Sequence, residues 1–413
     1  MIKKFFNFPN KYSFQDDLLA GITIGIVTIP QAMAFALLAG IPPIYGLYGS
    51  FLPLLVYGLL SSSNYLNVGP VSIISIFIFN VLSQNVEPFT TEYINDLVIL
   101  GVMVGLIQLL FGVFGLGKYL KYIPLSIISG FIQAAAILII VSQLSTAFGI
   151  KFPVDGLKKI PYLFLNIHEL KLNTTLLFLI SLIFLFLFAK FFPRFPTSIS
   201  LVCVTGILSY LLDFEKHGLL LIGDVPKGLP VFIFPTFDID YIKYLPGAFG
   251  IAFIASIGSS IMALKLEPHQ PNKINLNREY ISLGIAKFLS SFFGSMLSAG
   301  SFNRTILAYK IGGKTQITGI VSSIIILLTI LYLTPVVYYF PQPVIAALII
   351  YSVYFLFDFN LIFKLWREDK VELSYIFITM IVTLLLGLVE GIFLGVLIKY
   401  LGDHFLKKKI NLS

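Results

Sequence analysis

The chain has 413 residues, of which 57% are hydrophobic and only 12% charged, and its mean hydropathy is +0.94. A water-soluble domain cannot hide that much apolar surface, whereas this length accommodates about 12 to 14 membrane spans of some 20 residues each and leaves no room for a sizeable soluble domain. The formal charge of +8 would suggest nucleic acid in a soluble protein, but here Lys and Arg fall mostly in short loops and at the two ends, so no nucleic-acid partner is expected.

The lead-in, residues 1–16, is basic and aromatic and shows no cleavage pattern, so the first apolar run is expected to stay as a helix. Apolar runs punctuated by Gly, Pro and charge then give spans near 17–39, 43–60, 69–84, 94–114, 123–148, 174–192 and 196–213. A second set follows near 245–264, 279–297, 303–311, 315–333, 342–358, 373–388 and 390–405, ahead of a short basic tail at 406–413. The expected fold is an all-α polytopic membrane protein of about 14 spans, seven in each half. An even number of spans puts both termini on one side. With that side cytoplasmic, most Lys and Arg fall inside, among them Lys3, Lys4, Lys11, Lys118, Lys121, Lys190, Arg194, Lys407, Lys408 and Lys409, as the positive-inside rule requires. The single Trp, Trp366, leaves the interfacial belt to be built mainly from 21 Tyr, and the lone Cys203, inside an apolar run, cannot form an intramolecular disulfide.

Two spans are anomalous, and they occupy matching places in the halves. The third opens with Asn67, Val68, Gly69 and Pro70, a helix breaker near its start. The tenth, SFNRTILAYKIGG, is too short to cross a bilayer at 1.5 Å per residue. Interrupted apolar segments at corresponding places point to a transporter built from repeats, and seven spans per half, an odd number, force the second repeat (about 245–405) to be inverted relative to the first (about 17–213). If spans three and ten are half-helices meeting mid-membrane, their N-termini present unpaired N–H groups and the positive ends of two dipoles, which bind anions. Pro70 suits a first helical turn, and Ser301 and Asn303 can cap the tenth span. Arg304 adds a planar fork of donors matched to oxyanions; a charge at membrane depth costs roughly 2.5–3.5 kcal/mol on insertion scales and is a functional-site hypothesis by default.

Other features have plainer readings. GGKT at 312–315 lacks the glycine a phosphate loop needs, since Ala308 stands there, so a cytoplasmic turn is expected. Lys287 in the ninth span snorkels or pairs. Gln31 and Phe35, four apart on one helix face, read from position alone as packing residues. The glycines of YGLYGSF and GLIQLLFGVFGLG are read as close-packing positions, and Glu390 as a loop residue. The four histidines share no metal-ligand spacing, so neither a metal nor another cofactor is expected. A lipid-modifying enzyme would need convergent acid, base or metal groups at one membrane face, which the chain does not offer, and no enzymatic activity is expected. A nucleobase-type proton-coupled carrier, which would need intramembrane carboxylates, and a non-transporting membrane sensor are the alternatives.

The chain resembles the sulfate permease (SulP) family, bacterial relatives of the animal anion exchangers that include pendrin and prestin. The resemblance rests on DLLAGITIGIVTIPQAMAFALLAGIPPIYGLYGSFLP, NVGPVSIIS, YIPLSIISGFIQAAAILII, HGLLLIGDVPKGLP, AGSFNRT and GGKTQITG, in that order. It implies a core domain of spans one to four and eight to eleven, a gate domain of spans five to seven and twelve to fourteen, an elevator-like movement of the core, a homodimer, and residence in a bacterial inner (plasma) membrane. Carried over by motif, substrate binding falls to Gln31, Phe35, Val71, Ser72, Phe302, Asn303 and Arg304, with Gly69, Pro70 and Ser301 supporting the helix termini. The substrate is expected to be an inorganic anion, sulfate, bicarbonate or chloride, or a small carboxylate. There are two departures from the family pattern. Many bacterial members carry an acid in span eight that is implicated in cation coupling; here Gly258 stands at that place, followed by Ser259. The family also usually continues into a cytoplasmic STAS domain, and this chain stops at Ser413, so it is expected to lack one, as a short natural form or by truncation.

Overall fold

The computed structural model describes residues 11–118, 124–153, 156–191, 197–223, 227–235, 239–354 and 357–410. Most of the basic lead-in, the end of the basic tail, and Lys121 and Arg194 lie outside them. The chain runs through α1 (Lys11–Leu38), α2 (Pro43–Leu60), β1 (Val68–Gly69), α3 (Ser72–Leu82), α4 (Thr91–Val113), α5 (Leu125–Phe148), α6 (Lys159–Leu165), α7 (Leu172–Phe191) and α8 (Thr197–Leu212). It continues through α9 (Leu245–Leu266), α10 (Leu276–Ser291), β2 (Ala299–Gly300), α11 (Phe302–Ile311), α12 (Ile317–Leu328), α13 (Thr334–Val337), α14 (Gln342–Tyr354), α15 (Phe359–Glu368), α16 (Lys370–Leu386) and α17 (Leu388–Ile410). Each expected span coincides with a helix. Among the described residues, seven helices are by themselves long and apolar enough to cross a membrane; α3 and α11, at about 16 and 15 Å, reach only halfway through a hydrocarbon layer of about 30 Å.

The structure differs from the sequence reading at four places. The ninth span stops at Ser291, because Gly294 turns the chain with a φ of 65° and the backbone leaves the helix before β2. The eleventh passes from α12 through a π-turn at Thr329–Leu333 into α13, where Pro335 sits in the first turn. Glu390 is not in a loop: it lies in the first turn of α17, where a carboxylate complements the helix dipole. Between the twelfth and thirteenth spans lies α15, a strongly amphipathic helix that exposes Phe359, Phe363 and Trp366, the pattern of a helix lying in the membrane interface.

Two compact units divide the chain. The first comprises Met1–Lys118, Thr146–Phe148 and Lys171–Leu348, and its helix contacts repeat. Helix α1 packs on α12 and on α11, as α9 packs on α4 and on α3; α2 packs on α12 as α10 packs on α4. This is the pattern of two inverted repeats. Glycines bring these helices together: a Cβ on Gly46 would strike the Ala32 carbonyl of α1, and one on Gly105 would lie 2.6 Å from the backbone of Phe288. Both belong to the glycine runs read as packing positions.

Polar clamps fix the ends. Asp17 of α1 is fully buried and accepts hydrogen bonds from the Lys314 and Thr315 amides and from the Thr315 and Thr318 hydroxyls, holding the GGKT turn. Glu279 of α10 accepts from the Tyr57 hydroxyl, the Ser62 amide and hydroxyl, both at 2.6 Å, and the Ser63 amide at 3.0 Å. It therefore pins the segment that leads into β1. The Tyr244 hydroxyl, just before α9, donates to Asp96 of α4. Lys287 pairs rather than snorkels: its ammonium donates to Gln108 Oε1 at 2.6 Å, and Gln108 Nε2 donates on to Ser256 Oγ and the Ala252 carbonyl of α9.

The second unit comprises Tyr119–Ser145, Gly149–Leu170 and Ile349–Ser413. Within it α16 and α17 pack closely, Gly391 against Thr383 and Gly395 against Thr379, while Gly130 of α5 meets the Ile376 carbonyl. An ion pair joins Lys399 to Glu372.

Glu279→Ala removes the acceptor of four hydrogen bonds, among them that of the fully buried Tyr57 hydroxyl. The expected cost is about 2–4 kcal/mol, seen as a lower melting temperature in detergent, with Glu279→Gln intermediate. An unchanged melting temperature contradicts the clamp.

Candidate functional site

The site grows out of the two short strands. Residues 61–67 are held at one end by Glu279, and the chain then pairs β1 with β2 in antiparallel register, Val68 opposite Gly300 and Gly69 opposite Ala299. The Ser301 amide donates to the Asn67 carbonyl at 2.8 Å, and the Asn67 amide to the Thr305 hydroxyl at 2.9 Å. Because the strands are antiparallel and each leads directly into a short helix, α3 and α11 depart in opposite directions with their N-termini abutting. Backbone away from helix geometry is tolerated at membrane depth only where its polar groups are paired or line a polar site.

Most of the expected site residues gather at these two helix starts. Val71 is the N-cap residue of α3 and Ser72 its first helical residue. Ser301 holds the N-cap position of α11, and Phe302, Asn303 and Arg304 form its first turn. By helix geometry, the amides of Ser72, Ile73 and Ile74 and of Phe302, Asn303 and Arg304 lack intrahelical acceptors. Two expectations need correction. Pro70 precedes the N-cap of α3 instead of lying in its first turn, because the strand pairing of Gly69 delays the helix; what it contributes is its carbonyl, which accepts from Arg304. Ser301 and Asn303 do not cap: neither side chain accepts a capping hydrogen bond, which leaves the amides of α11 available to a ligand. Gln31, half-buried, and Phe35, buried, lie on α1 directly after Pro30, and α1 packs on both α3 and α11.

Arg304 is 1% exposed. Its Nη2 donates to the Pro70 carbonyl at 3.0 Å, while Nε and Nη1 have no partner, and among the described residues no carboxylate lies within ion-pair reach. Gly69 makes this placement possible: a Cβ there would lie 2.8 Å from Nη2. The guanidinium thus crosses from α11 behind the start of α3, adding a full charge to two helix dipoles. Gly258 is exposed on α9, with no atom within 4 Å of an added Cβ. Ser259 is structural, since its hydroxyl accepts from the Gly300 amide at 2.8 Å and donates to the Ala255 carbonyl at 2.6 Å, tying β2 to α9.

Sequence reading missed two residues. Lys265, two turns beyond Gly258 on α9, places its ammonium 4.6 Å from the centroid of the Phe302 ring, which is 40% exposed. The seven-residue spacing from Gly258 was the available signal. Asn67 is 3% exposed, with both side-chain polar atoms unpartnered; its only signal was a polar residue between Leu66 and Val68. No metal-binding group of His, Cys, Asp and Glu occurs among the described residues.

A family model described as the sulfate permease family matches residues 14–383. The chain belongs to the sulfate permease family. Similar members include the probable sulfate transporter 4.2 of Arabidopsis thaliana, 35% identical over 93% of this chain and 58% of that protein. The sodium-independent sulfate anion transporter of Bos taurus is 30% identical over 94% and 69%, and prestin of Danio rerio is 29% identical over 94% and 57%. The chain spans under three-fifths of the length of the first of these relatives. Among solved structures, the murine Solute Carrier 26 family member A9 anion transporter in its inward-facing state superposes with a TM-score of 0.90 at 26% identity, covering 98% of this chain and 71% of that one. The transmembrane domain of the cyanobacterium bicarbonate transporter BicA shares the fold, with a TM-score of 0.81 at 21% identity over 93% and 98%. The chain is thus a polytopic membrane protein of the fold class read from its sequence.

Gly69→Ala and Gly300→Ala separate site from scaffold. At Gly300 the new Cβ meets Ser259 Cα at 2.9 Å and Leu66 Cδ1 at 2.8 Å, so backbone must move and stability falls by about 1–3 kcal/mol. At Gly69 it meets the end of a long side chain, so the melting temperature holds while the guanidinium leaves the Pro70 carbonyl and the affinity for any ligand held there drops. Equal effects of both substitutions on melting and binding contradict this division.

Proposed function

We propose that the protein is a secondary transporter of inorganic anions, sulfate, bicarbonate or chloride, or of small carboxylates, which binds its substrate between the N-termini of α3 and α11. The observation that carries this reading is Arg304: a buried guanidinium, beside two helix N-termini, with Nε and Nη1 unpartnered and no carboxylate within ion-pair reach among the described residues. Leaving such donors unmet in a low-dielectric setting is costly, and an oxyanion or halide at that place meets them together with the open amides of Ser72, Ile73, Phe302 and Asn303. Phe302, Gln31 and Phe35 shape the pocket and Val71 fixes the backbone turn. The relatives, named as sulfate and anion transporters, favour the same class.

Transport proceeds by alternating access, with a core of spans one to four and eight to eleven moving relative to a gate of spans five to seven and twelve to fourteen, within a homodimer and with both termini cytoplasmic. Gly258 has no side chain that could titrate or ligate, so uniport or anion exchange is favoured over proton or sodium symport by that route. The sodium-independent character named for the Bos taurus relative is in keeping with this.

Arg304→Ala in proteoliposomes is expected to raise the KM for anion uptake at least about tenfold, the equivalent of about 1.4 kcal/mol, and to leave insertion and oligomeric state intact. Backbone donors at both helix ends persist, so weak binding survives. Unchanged affinity sinks the assignment.

A further inference from the structure

We propose that Lys265 is a second cation of the anion site, which meets the substrate at the open side of α11 and favours ions of higher charge. The inference rests on the anion-site reading above and adds a specificity-determining residue to it.

The start of α11 is closed on one side and open on the other. Ser72, Ser301 and Arg304 are buried, whereas Phe302 and Asn303, between the last two, are exposed. An ion approaching the free amides of that first turn therefore passes these two side chains. Lys265 stands at this opening, its ammonium over the Phe302 ring at 4.6 Å from the centroid. It belongs to a face of α9 that the neighbouring helices leave uncovered. Ile254, Gly258, Ile261 and Lys265, at i, i+4, i+7 and i+11, are half-buried or exposed, whereas Ser259 and Met262 beside them are buried.

A lysine in the last turn of a helix has two ordinary uses, to complement the negative end of the dipole and to snorkel to the headgroups beyond. Lys265 is in the last turn of α9, but its side chain is turned the other way. Ser259 Oγ accepts from the Gly300 amide, which sets the start of α11 level with a point nearly two turns before Lys265. Helical side chains lean toward the N-terminus of their own helix, and the lysine stem follows that lean back to Phe302. No acid claims the ammonium. Among the described residues no carboxylate lies within ion-pair reach of it, and Glu267, two residues on, gives Oε1 to the Ile274 amide at 2.7 Å. A cation–π contact at an exposed site is weak, so the ammonium rests on the ring and is free to turn to an arriving anion.

The two cations then divide the work. Arg304 is buried and held by the Pro70 carbonyl, so it acts deep in the site through fixed donors. Lys265 acts by charge at the mouth, and Coulomb attraction is proportional to the charge of the ion. A dianion gains about twice the free energy that a monoanion gains there, so the fold-preference supplied by Lys265 is squared on going from chloride to sulfate.

The test uses the full chain in proteoliposomes, with uptake of radiolabelled sulfate and chloride and parallel melting curves; an ion that is bound without being carried is read as a competitor. Lys265→Met keeps the stem and removes the charge. KM is expected to rise about threefold for chloride and about tenfold for sulfate, with kcat little changed and melting unaltered. Lys265→Glu reverses the charge and doubles both shifts on a logarithmic scale, to about tenfold and about a hundredfold. Lys265→Arg keeps the charge and the ring contact and retains the preference between the two ions. If the Met and Glu variants leave the ratio of the two KM values as it was, or shift KM only in step with melting temperature, Lys265 is an interfacial cation and the proposal is overturned, while the anion site stands without it. If the unsubstituted protein neither carries nor binds sulfate or chloride, the preference has nothing to act on and the inference fails; if it also refuses bicarbonate and small carboxylates, the anion-site reading falls too.

Discussion

Two pairs of residues, Val68–Gly69 and Ala299–Gly300, form a strand pairing on which the site depends. In a bilayer an interrupted helix leaves polar backbone with no water to satisfy it. Pairing each interruption with the other, antiparallel, meets that demand and at the same time brings two helix N-termini together. The cost of breaking two spans is thereby turned into a concentration of positive dipole ends. Because the repeats are inverted, one pairing serves both: what β1 does for α11, β2 does for α3.

The remainder of the first unit stabilises that pairing from outside. Glu279 pins the segment entering β1, Ser259 ties β2 to α9, and Asp17 locks the turn that follows α11. Glycines let the supporting helices approach within backbone contact, which is how rigidity is obtained where lipid supplies no hydrophobic drive between helices. Into this frame comes Arg304, whose charge is not neutralised by any neighbouring acid among the described residues. It is held by a carbonyl on one edge and left with donors on the other.

Much of this was legible in the sequence, for identifiable reasons. Spans are set by apolar length, and a ten-residue span between charged or Gly-rich segments announces a half-helix without any knowledge of its neighbours. Arg304 stood out because charge is rare at that depth. Features that depend on a partner distant in the chain were not legible. Pro70 read as a helix start because the strand taken up by Gly69 exists only once Ala299 is beside it. Ser301 read as a cap although its side chain caps nothing. The segment that forms α15 reads as a connection, because its amphipathic run is too short to register as a span. Lys287 was seen as pairing or snorkelling; its partner Gln108 is 179 residues away.

The measurement that bears most directly on the proposed anion site is the location of a bound anion. In crystals grown with selenate, an oxyanion of the shape and charge of sulfate, the anomalous difference map is predicted to show its strongest peak between the first turns of α3 and α11, within hydrogen-bond reach of the Ser72 and Phe302 amides and facing Arg304. Selenate bound elsewhere in the membrane region, with that place empty in a protein that transports the ion, would contradict it.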